Sequence, residues 1–392
     1  MDSTGLQMTE RKFKLTGKMC QEQFDKNIVS LINTIAAMKF STTQGQEIIE
    51  DHTVILELLR SGNYCGNEAG AAQYSGFAST EIEEAIRRMG SGDCFEYLRY
   101  RHHWHKYPHE LKVREFPIHL GLESSSVCDL RCKMCFQSDP TFRKRREEFG
   151  LMDYGLYTRI IDEGIDNGLC SIKLSIRGEP ILNPRLPEMI TYARKKGLLD
   201  VMFNTNANQL DETKSRNILS AGPTLIIFSV DADTKNIYES IRVGADFERV
   251  VQNIIRFHQI RENEFPYSKT KTRLQMTVVS ETRGEIDAVR ERWQDMVDQI
   301  AIKEHLIRQY ESNAESLRNA TPCRLLWQRL DIHFDGSVWL CDNDFYGKLC
   351  VGNVNDESIY DIWHGSIMKG VRESHKQGHK NNFAPCMNCD GL

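Results

Sequence analysis

The strongest constraint on the fold is a repeated alternation of short and long segments between about residue 115 and residue 305. Apolar, β-branched runs such as "SIKLSIRG", "TLIIFSVDA" and "KTRLQMTVV" predict strands, and the stretches between them carry apolar residues at helical spacing. About six strand–helix units in series predict a parallel sheet with helices on its outer face. An open or closed β/α barrel of this kind binds ligands at the C-terminal ends of its strands.

The regions on either side of this alternation have different patterns. Residues 1–112 predict a mainly helical N-terminal extension, and we expect "RHHWHKYPHE" near its end to be a partly exposed linker, because Pro108 and irregular histidine spacing disfavour a metal site. The chain after "AESLRNATP" predicts a β-hairpin that turns at "DG", followed by a helix. We therefore expect the α/β region to occupy residues 113–308 and a small C-terminal domain to occupy residues 309–392.

Composition excludes several classes of protein. A net charge of −5 over 392 residues gives no basic field for nucleic acid. No apolar run reaches the roughly 18 residues that span a bilayer, and the N-terminal sequence lacks the apolar core of a secretory signal. We therefore expect a cytoplasmic protein that binds neither nucleic acid nor membrane, whose twelve reduced cysteines include metal ligands beside some buried structural thiols.

Three of these cysteines, Cys128, Cys132 and Cys135, lie within eight residues on the loop after the first strand, "FPIHLGLE". Three closely spaced thiolates can bind one face of an iron–sulfur cube and leave one iron open. Zinc with a more distant fourth ligand is the alternative, because a structural zinc site takes four protein ligands.

A second group of cysteines lies near the C-terminal end of the sequence. It consists of Cys323, Cys341, Cys386 and Cys389. Four thiolates complete an iron–sulfur cube without an open site, and zinc takes the same ligands. The sequence thus predicts one open and one closed metal site, the closed one holding either a cluster or zinc.

The segment "CDLRCKMC", in its place after strand one, resembles the cluster-binding motif of the radical S-adenosylmethionine (SAM) superfamily. The resemblance implies a partial (β/α)6 barrel, a 4Fe–4S cluster on Cys128, Cys132 and Cys135, and SAM bound to the open iron through its amino and carboxylate groups. In that family, an electron from the cluster cleaves SAM to methionine and a 5′-deoxyadenosyl radical, which abstracts a hydrogen atom from the substrate.

Further segments at strand ends resemble the SAM-binding segments of the same family. "SIRGEPILNP" is similar to the family's Gly-Gly-Glu-Pro segment, with Arg177 in place of the first glycine, and "NTNAN", "FSVDA" and "YESIRVGADFERVVQNI" follow in the family's order. In the family, these segments lie against the amino group, the ribose and the carboxylate of SAM. The residues that the resemblance assigns to SAM binding are Phe136, Gly178, Glu179, Asn204, Asn206, Ser229, Asp231 and Arg242.

The C-terminal region resembles the SPASM/twitch extension of radical SAM enzymes, which implies an auxiliary 4Fe–4S cluster on Cys323, Cys341, Cys386 and Cys389. Because the sequence ends three residues after Cys389, without the further ligands of the full SPASM form, we expect the shorter twitch form with one auxiliary cluster. Cys350, in "KLCVGN", stands where the family has an apolar residue, and is either structural or a catalytic hydrogen-atom donor.

These resemblances imply a radical SAM oxidoreductase that dehydrogenates a small hydroxylated or sugar-like substrate, as the aminocyclitol dehydrogenases with one auxiliary cluster do. Three alternatives stay open: an epimerase that uses Cys350 as hydrogen donor, a peptide- or protein-modifying maturase, and a non-enzymatic metal-binding scaffold. The first cluster needs a low-potential electron, so a flavodoxin or ferredoxin is the expected donor.

Overall fold

The computed structural model of the chain describes residues 21–41, 45–62, 76–304, 321–387 and 389. The chain divides into two compact units, Met1–His105 and Lys106–Leu392. The expected boundary between residues 308 and 309 lies outside the described residues, so the three-part division of the chain stays a prediction.

The described part of the N-terminal unit is helical. Its helices are α1 (Gln21–Ala36), α2 (Gln46–Ser61), α3 (Ser79–Arg88) and most of α4 (Cys94–His109). In α1, Phe24, Ile28, Leu31 and Ile35 recur at three- or four-residue spacing, and all four are buried. This is the pattern of a helix that packs one apolar stripe against its neighbours.

The histidine segment of this unit is helical, and the expectation of a partly exposed linker is wrong. His103 and His105 lie in α4 and are buried. The Nε2 atom of His103 lies 2.8 Å from Oδ2 of Asp51, and Nε2 of His105 lies 3.0 Å from Oε1 of Glu81. Each imidazole therefore has a buried carboxylate partner on another helix, and residues so far apart in sequence cannot be paired from the sequence alone.

The second unit is built on a parallel sheet. The strand–helix region contributes six parallel strands: β1 (His119–Leu122), β3 (Ser171–Lys173), β4 (Asp200–Thr205), β5 (Leu225–Ser229), β7 (Lys271–Val278) and β8 (Gln299–Glu304). Two short strands, β2 (Arg131–Cys132) and β6 (Arg242–Val243), pair with each other outside this sheet. The helices between the strands are α5 (Pro140–Arg143), α6 (Tyr154–Asp166), α7 (Leu186–Lys195), α8 (Glu212–Ala221), α9 (Lys235–Ile241), α10 (Phe247–Glu264) and α11 (Ile286–Trp293). The α/β prediction is thereby confirmed.

The two faces of the sheet differ in chemistry. Val201 and Phe203 of β4, and Leu274 of β7, are buried in the hydrophobic core. The alternating residues point the other way and form what we call the inner face, whose polar, half-buried members include Asn204, Ser229, Arg273, Gln275 and Thr277. Parallel sheets are normally buried and apolar on both faces. A polar and partly exposed inner face therefore indicates space for a ligand.

A C-terminal hairpin continues this sheet. Its strands are β9 (Arg329–Ile332), β10 (Ser337–Trp339) and β11 (Cys350–Asn353). Strand β9 pairs in parallel with β1, which gives the order β11-β10-β9-β1-β3-β4-β5-β7-β8. Gly121 of β1 lies opposite Asp331 of β9, and a Cβ atom at Gly121 would collide with the Asp331 carboxylate. A glycine at this position thus allows the two strands to pair.

Two helices, α12 (Ile359–Trp363) and α13 (Ser366–Lys376), follow the hairpin. Leu330 and Ile332 of β9 and Trp363 of α12 belong to the same hydrophobic core as Leu120 and Leu122 of β1. The C-terminal region and the parallel sheet are therefore packed around shared apolar residues. Among the described residues, no helix is both long enough and apolar enough to cross a membrane.

Candidate active site

The loop after β1 brings three thiols together. Cys132 lies in β2, which pairs with β6 and puts Cys132 opposite Arg242. The Cys135 amide donates to the Cys132 carbonyl oxygen over 2.9 Å. Burial raises the pKa of the Cys128 thiol to about 12 and also raises the pKa of Cys135, and the charge of Cys132 raises both further. The three sulfur atoms therefore lie within electrostatic range, and bound iron would supply the positive charge that keeps them ionised.

Four further thiols converge in the C-terminal region. Burial raises the pKa of Cys323, Cys341 and Cys386, and the mutual charges of the thiols add to the rise. Cys323 interacts in this way with each of the other three. Asn343 donates from Nδ2 to the sulfur of Cys389 over 3.7 Å. The four predicted ligands thus face one another although they lie far apart in sequence.

Both cysteine sets are spaced more widely than the ligands of one metal ion. Sulfur atoms at about 2.3 Å from a tetrahedral zinc would lie about 3.8 Å apart. Within the described ranges, the group whose ligand atoms all lie within 4.8 Å of one another is Glu47, Asp51 and His103 of the N-terminal unit, and neither cysteine set meets that spacing. In an iron–sulfur cube each thiolate binds a separate iron, so a cube does not require the sulfur atoms to share one metal ion.

The segment "GEP" after β3 lies directly on the cysteine loop. A Cβ atom at Gly178 would collide with the backbone of Ser125, Ser126 and Val127. The Glu179 amide donates to the Val127 carbonyl oxygen over 2.8 Å, and the buried Glu179 carboxylate accepts from the amide of Asn206 over 2.7 Å. Burial raises the pKa of Glu179 to about 7. A ligand ammonium group at this carboxylate would favour its ionised form.

The end of β4 is joined to the cysteine loop through Asp129, which the sequence reasoning missed. Asp129 accepts from Nδ2 of Asn206 and from Nδ2 of Asn208, each over 2.8 Å. The sequence signal that could have identified Asp129 as a site residue is its position directly after Cys128. Ala207 has a φ of 58°, in the left-handed region that favours glycine, which accounts for the glycine that the family uses there. Oδ1 of Asn204 is buried without a hydrogen-bond partner among the described residues.

The ends of β5 and β6 contribute an ion pair. The Nη2 atom of Arg242 lies 2.7 Å from Oδ2 of Asp231, and both side chains are buried. Oδ1 of Asp231 accepts from the Thr277 amide over 2.8 Å. Ser229, at the end of β5, is half-buried. The charge of Arg242 lowers the pKa of Cys132 against a larger rise from burial, so this cation lies near a predicted cluster ligand.

The remaining two predicted site residues lie toward the C-terminal region. The Phe136 ring stacks on Phe345, with centroids 4.4 Å apart, and meets Phe142 edge-on at 4.9 Å. Phe136 therefore connects the cysteine loop with the C-terminal region. Cys350 is exposed at the start of β11, and β10 and β9 separate its strand from β1.

Arg177, which stands in place of the family's first glycine, forms a buried network. Its guanidinium donates to both carboxylate oxygens of Glu123, over 2.7 and 2.9 Å, and to Glu148 over 2.7 Å. It also lies 4.6 Å from the centroid of the Trp339 ring in β10. The network thus connects the "GEP" segment, the end of β1 and the C-terminal hairpin, a role that the comparison with the family pattern did not suggest.

Comparisons with known proteins agree with this arrangement. The family model described as the radical SAM superfamily matches residues 122–290, and the model described as the SPASM iron–sulfur cluster-binding domain matches residues 323–390. The chain is 32% identical over 114 residues to the tungsten-containing aldehyde ferredoxin oxidoreductase cofactor-modifying protein of Pyrococcus furiosus, a match that covers 29% of this chain and 30% of that protein.

A longer match is to a protein of Niallia circulans named S-adenosyl-L-methionine-dependent 2-deoxy-scyllo-inosamine dehydrogenase. The two are 24% identical over 285 residues, which cover 70% of this chain and 92% of the relative. The crystal structure of Streptococcus suis SuiB has a TM-score of 0.52 at 14% identity, over 91% of this chain and 84% of SuiB, and this likeness concerns the fold alone. The chain thus contains a domain of the radical SAM superfamily, matched over residues 122–290, and a SPASM iron–sulfur cluster-binding domain, matched over residues 323–390, after its parallel sheet.

Proposed function

We propose that this radical SAM enzyme dehydrogenates a small hydroxylated or sugar-like substrate. The observation that carries the proposal is the chemistry of the inner face, where Gln275 and Thr277 are polar and half-buried, and Gln275 lies opposite the predicted SAM-binding residue Ser229. Amide and hydroxyl groups donate and accept hydrogen bonds, as recognition of a substrate with several hydroxyl groups requires. The Niallia circulans relative, matched over 92% of its length, is named as a dehydrogenase of such a compound, which supports the same substrate class.

Oxidation of a secondary alcohol to a ketone removes a hydrogen atom from carbon, a proton from the hydroxyl group and one electron. SAM and its cluster supply the radical chemistry that removes the hydrogen atom, and the second cluster supplies an acceptor for the electron. The chain's own contribution is to orient the substrate hydroxyl groups on the inner face and to hold the SAM ammonium group at Glu179. The C-terminal hairpin supports this scheme, because β9 pairs with β1 and brings the four-thiol region to the edge of the same sheet.

The test is anaerobic incubation of the reconstituted enzyme, SAM and a reductant with a panel of aminocyclitols, inositols and amino sugars. We expect one member of the panel to lose two hydrogen atoms, and we expect SAM to yield an equal amount of 5′-deoxyadenosine. An epimerase would instead give a product that is an isomer of the substrate and carries deuterium from the solvent. The Cys350→Ala variant would then no longer incorporate deuterium. Modification of peptides with no reaction on any polyol would contradict the proposal in favour of a maturase.

A further inference from the structure

Arg329, at the start of β9, is a half-buried cation that is ion-paired next to a predicted auxiliary cluster ligand. Its side chain is 13% exposed, and Nη2 lies 2.6 Å from Oδ1 of Asp342 and 3.4 Å from Oδ2 of Asp331. Asp342 follows Cys341 directly in the sequence. The guanidinium is thus tied to a residue that is covalently next to a predicted ligand.

The strand pairing accounts for the direction of the side chain. Leu330 and Ile332 of β9 point into the hydrophobic core, so Arg329 and Asp331 point to the opposite side of the sheet. Space for them comes from Gly121, the neighbour of Asp331 on β1. The position of Arg329 is therefore set by the backbone register of β9 against β1 rather than by a flexible surface contact.

The charges around the four thiols have a definite distribution. Arg329 lowers the pKa of Cys323 against the larger rise from burial, and Cys341 and Cys323 in turn raise the pKa of Arg329. The negative charges of Asp342 and Asp331 raise the pKa of Cys341. Near Cys386, Lys380 provides a positive charge and Asp344 a negative one. Arg329 is thus the cation whose own pKa is raised by both Cys341 and Cys323.

We propose that Arg329 raises the reduction potential of the auxiliary cluster above the value that Asp342 and Asp331 would set without it. A fixed positive charge in a medium of low dielectric constant stabilises the more negative, reduced form of a cluster. Net charge and hydrogen bonding around the sulfur atoms are known determinants of iron–sulfur potentials. The inference concerns the potential alone, so it holds whichever substrate the enzyme oxidises.

The test is a redox titration of the reconstituted enzyme, followed by electron paramagnetic resonance, in which both clusters are measured in one sample. We expect Arg329→Gln to shift the auxiliary potential to more negative values, Asp342→Asn to shift it to more positive values, and Arg329→Lys to stay near wild type. The potential of the SAM-binding cluster is the internal control. Arg216→Gln on α8, which breaks an exposed ion pair with Glu264, is the matched control and shifts neither potential.

Opposite signs for the two substitutions distinguish a charge effect from a general loosening of the fold. An unchanged potential in Arg329→Gln, or equal shifts in both clusters, would overturn the proposal. Where Arg329→Gln does not retain the auxiliary cluster, Asp342→Asn is compared with Arg329→Gln/Asp342→Asn, so that the two variants differ only in the charge of residue 329. A more negative potential in the double variant supports the proposal, and equal potentials overturn it.

Discussion

Replacing Arg177 by methionine tests the buried network that joins the "GEP" segment to the C-terminal hairpin. The side chains of Arg177 and Glu123 are 2% and 0% exposed, and two hydrogen bonds of 2.7 and 2.9 Å connect them. Burial raises the pKa of Glu123 even with Arg177 in place, so the intact pair contributes little net stability. Removal of Arg177 alone leaves a fully buried carboxylate without its cation, which costs about 3–5 kcal/mol.

The assay is a double-mutant cycle on the reconstituted enzyme, with the midpoint of chemical unfolding as the measured quantity. We expect Arg177→Met to be strongly destabilised, and Arg177→Met/Glu123→Gln to recover most of the loss, because the second substitution removes the unpaired charge. Arg216→Met, which breaks an exposed pair with Glu264, is the control and should cost less than about 1 kcal/mol. Equal losses for Arg177→Met and the control, or a double variant no more stable than Arg177→Met, would refute the reasoning.

Three further predictions concern the SAM-binding segments. Because burial raises the pKa of Glu179 to about 7, the free enzyme holds a proton there below that pH; SAM affinity measured by equilibrium dialysis should rise from about pH 6 to about pH 8, and Glu179→Gln should remove this dependence. Gly178→Ala should abolish SAM binding while the iron content of the C-terminal site persists, because its Cβ atom meets the cysteine-loop backbone. Ala207→Gly should raise the unfolding midpoint, since it relieves a left-handed backbone worth about 1 kcal/mol, whereas a lower midpoint would show that Ala207 is unstrained.

The elements that sequence predicts best here are those with local signals. Alternating apolar runs predicted the parallel strands and helices, and clustered cysteines predicted the two sets of thiols. Glu179 and its neighbours could be found because the family places them at strand ends. Each of these signals lies within one segment of the chain except the four-thiol set, which spans residues 323–389 and was assigned through the resemblance to the SPASM/twitch extension.

The features that sequence did not predict depend on contacts between distant segments. The pairing of β9 with β1 rests on a register that puts Gly121 opposite Asp331, and neither residue signals the other. The partner of Arg177 is 54 residues away in sequence, so its substitution for glycine looked like a weaker motif rather than a new ion pair. The buried His103 likewise pairs with Asp51, which lies on another helix.

The central claim is that the three-thiol site is open for SAM chemistry and the four-thiol site is closed. The most direct measurement is iron content and 5′-deoxyadenosine formation, with dithionite and SAM, in two cysteine-to-alanine variants. The intact enzyme should hold about eight irons, four for each cluster. The variant lacking Cys128, Cys132 and Cys135 should keep about four irons and form no 5′-deoxyadenosine, and the variant lacking Cys386 and Cys389 should lose about four irons and still form it. Formation of 5′-deoxyadenosine without the first three cysteines would contradict the account.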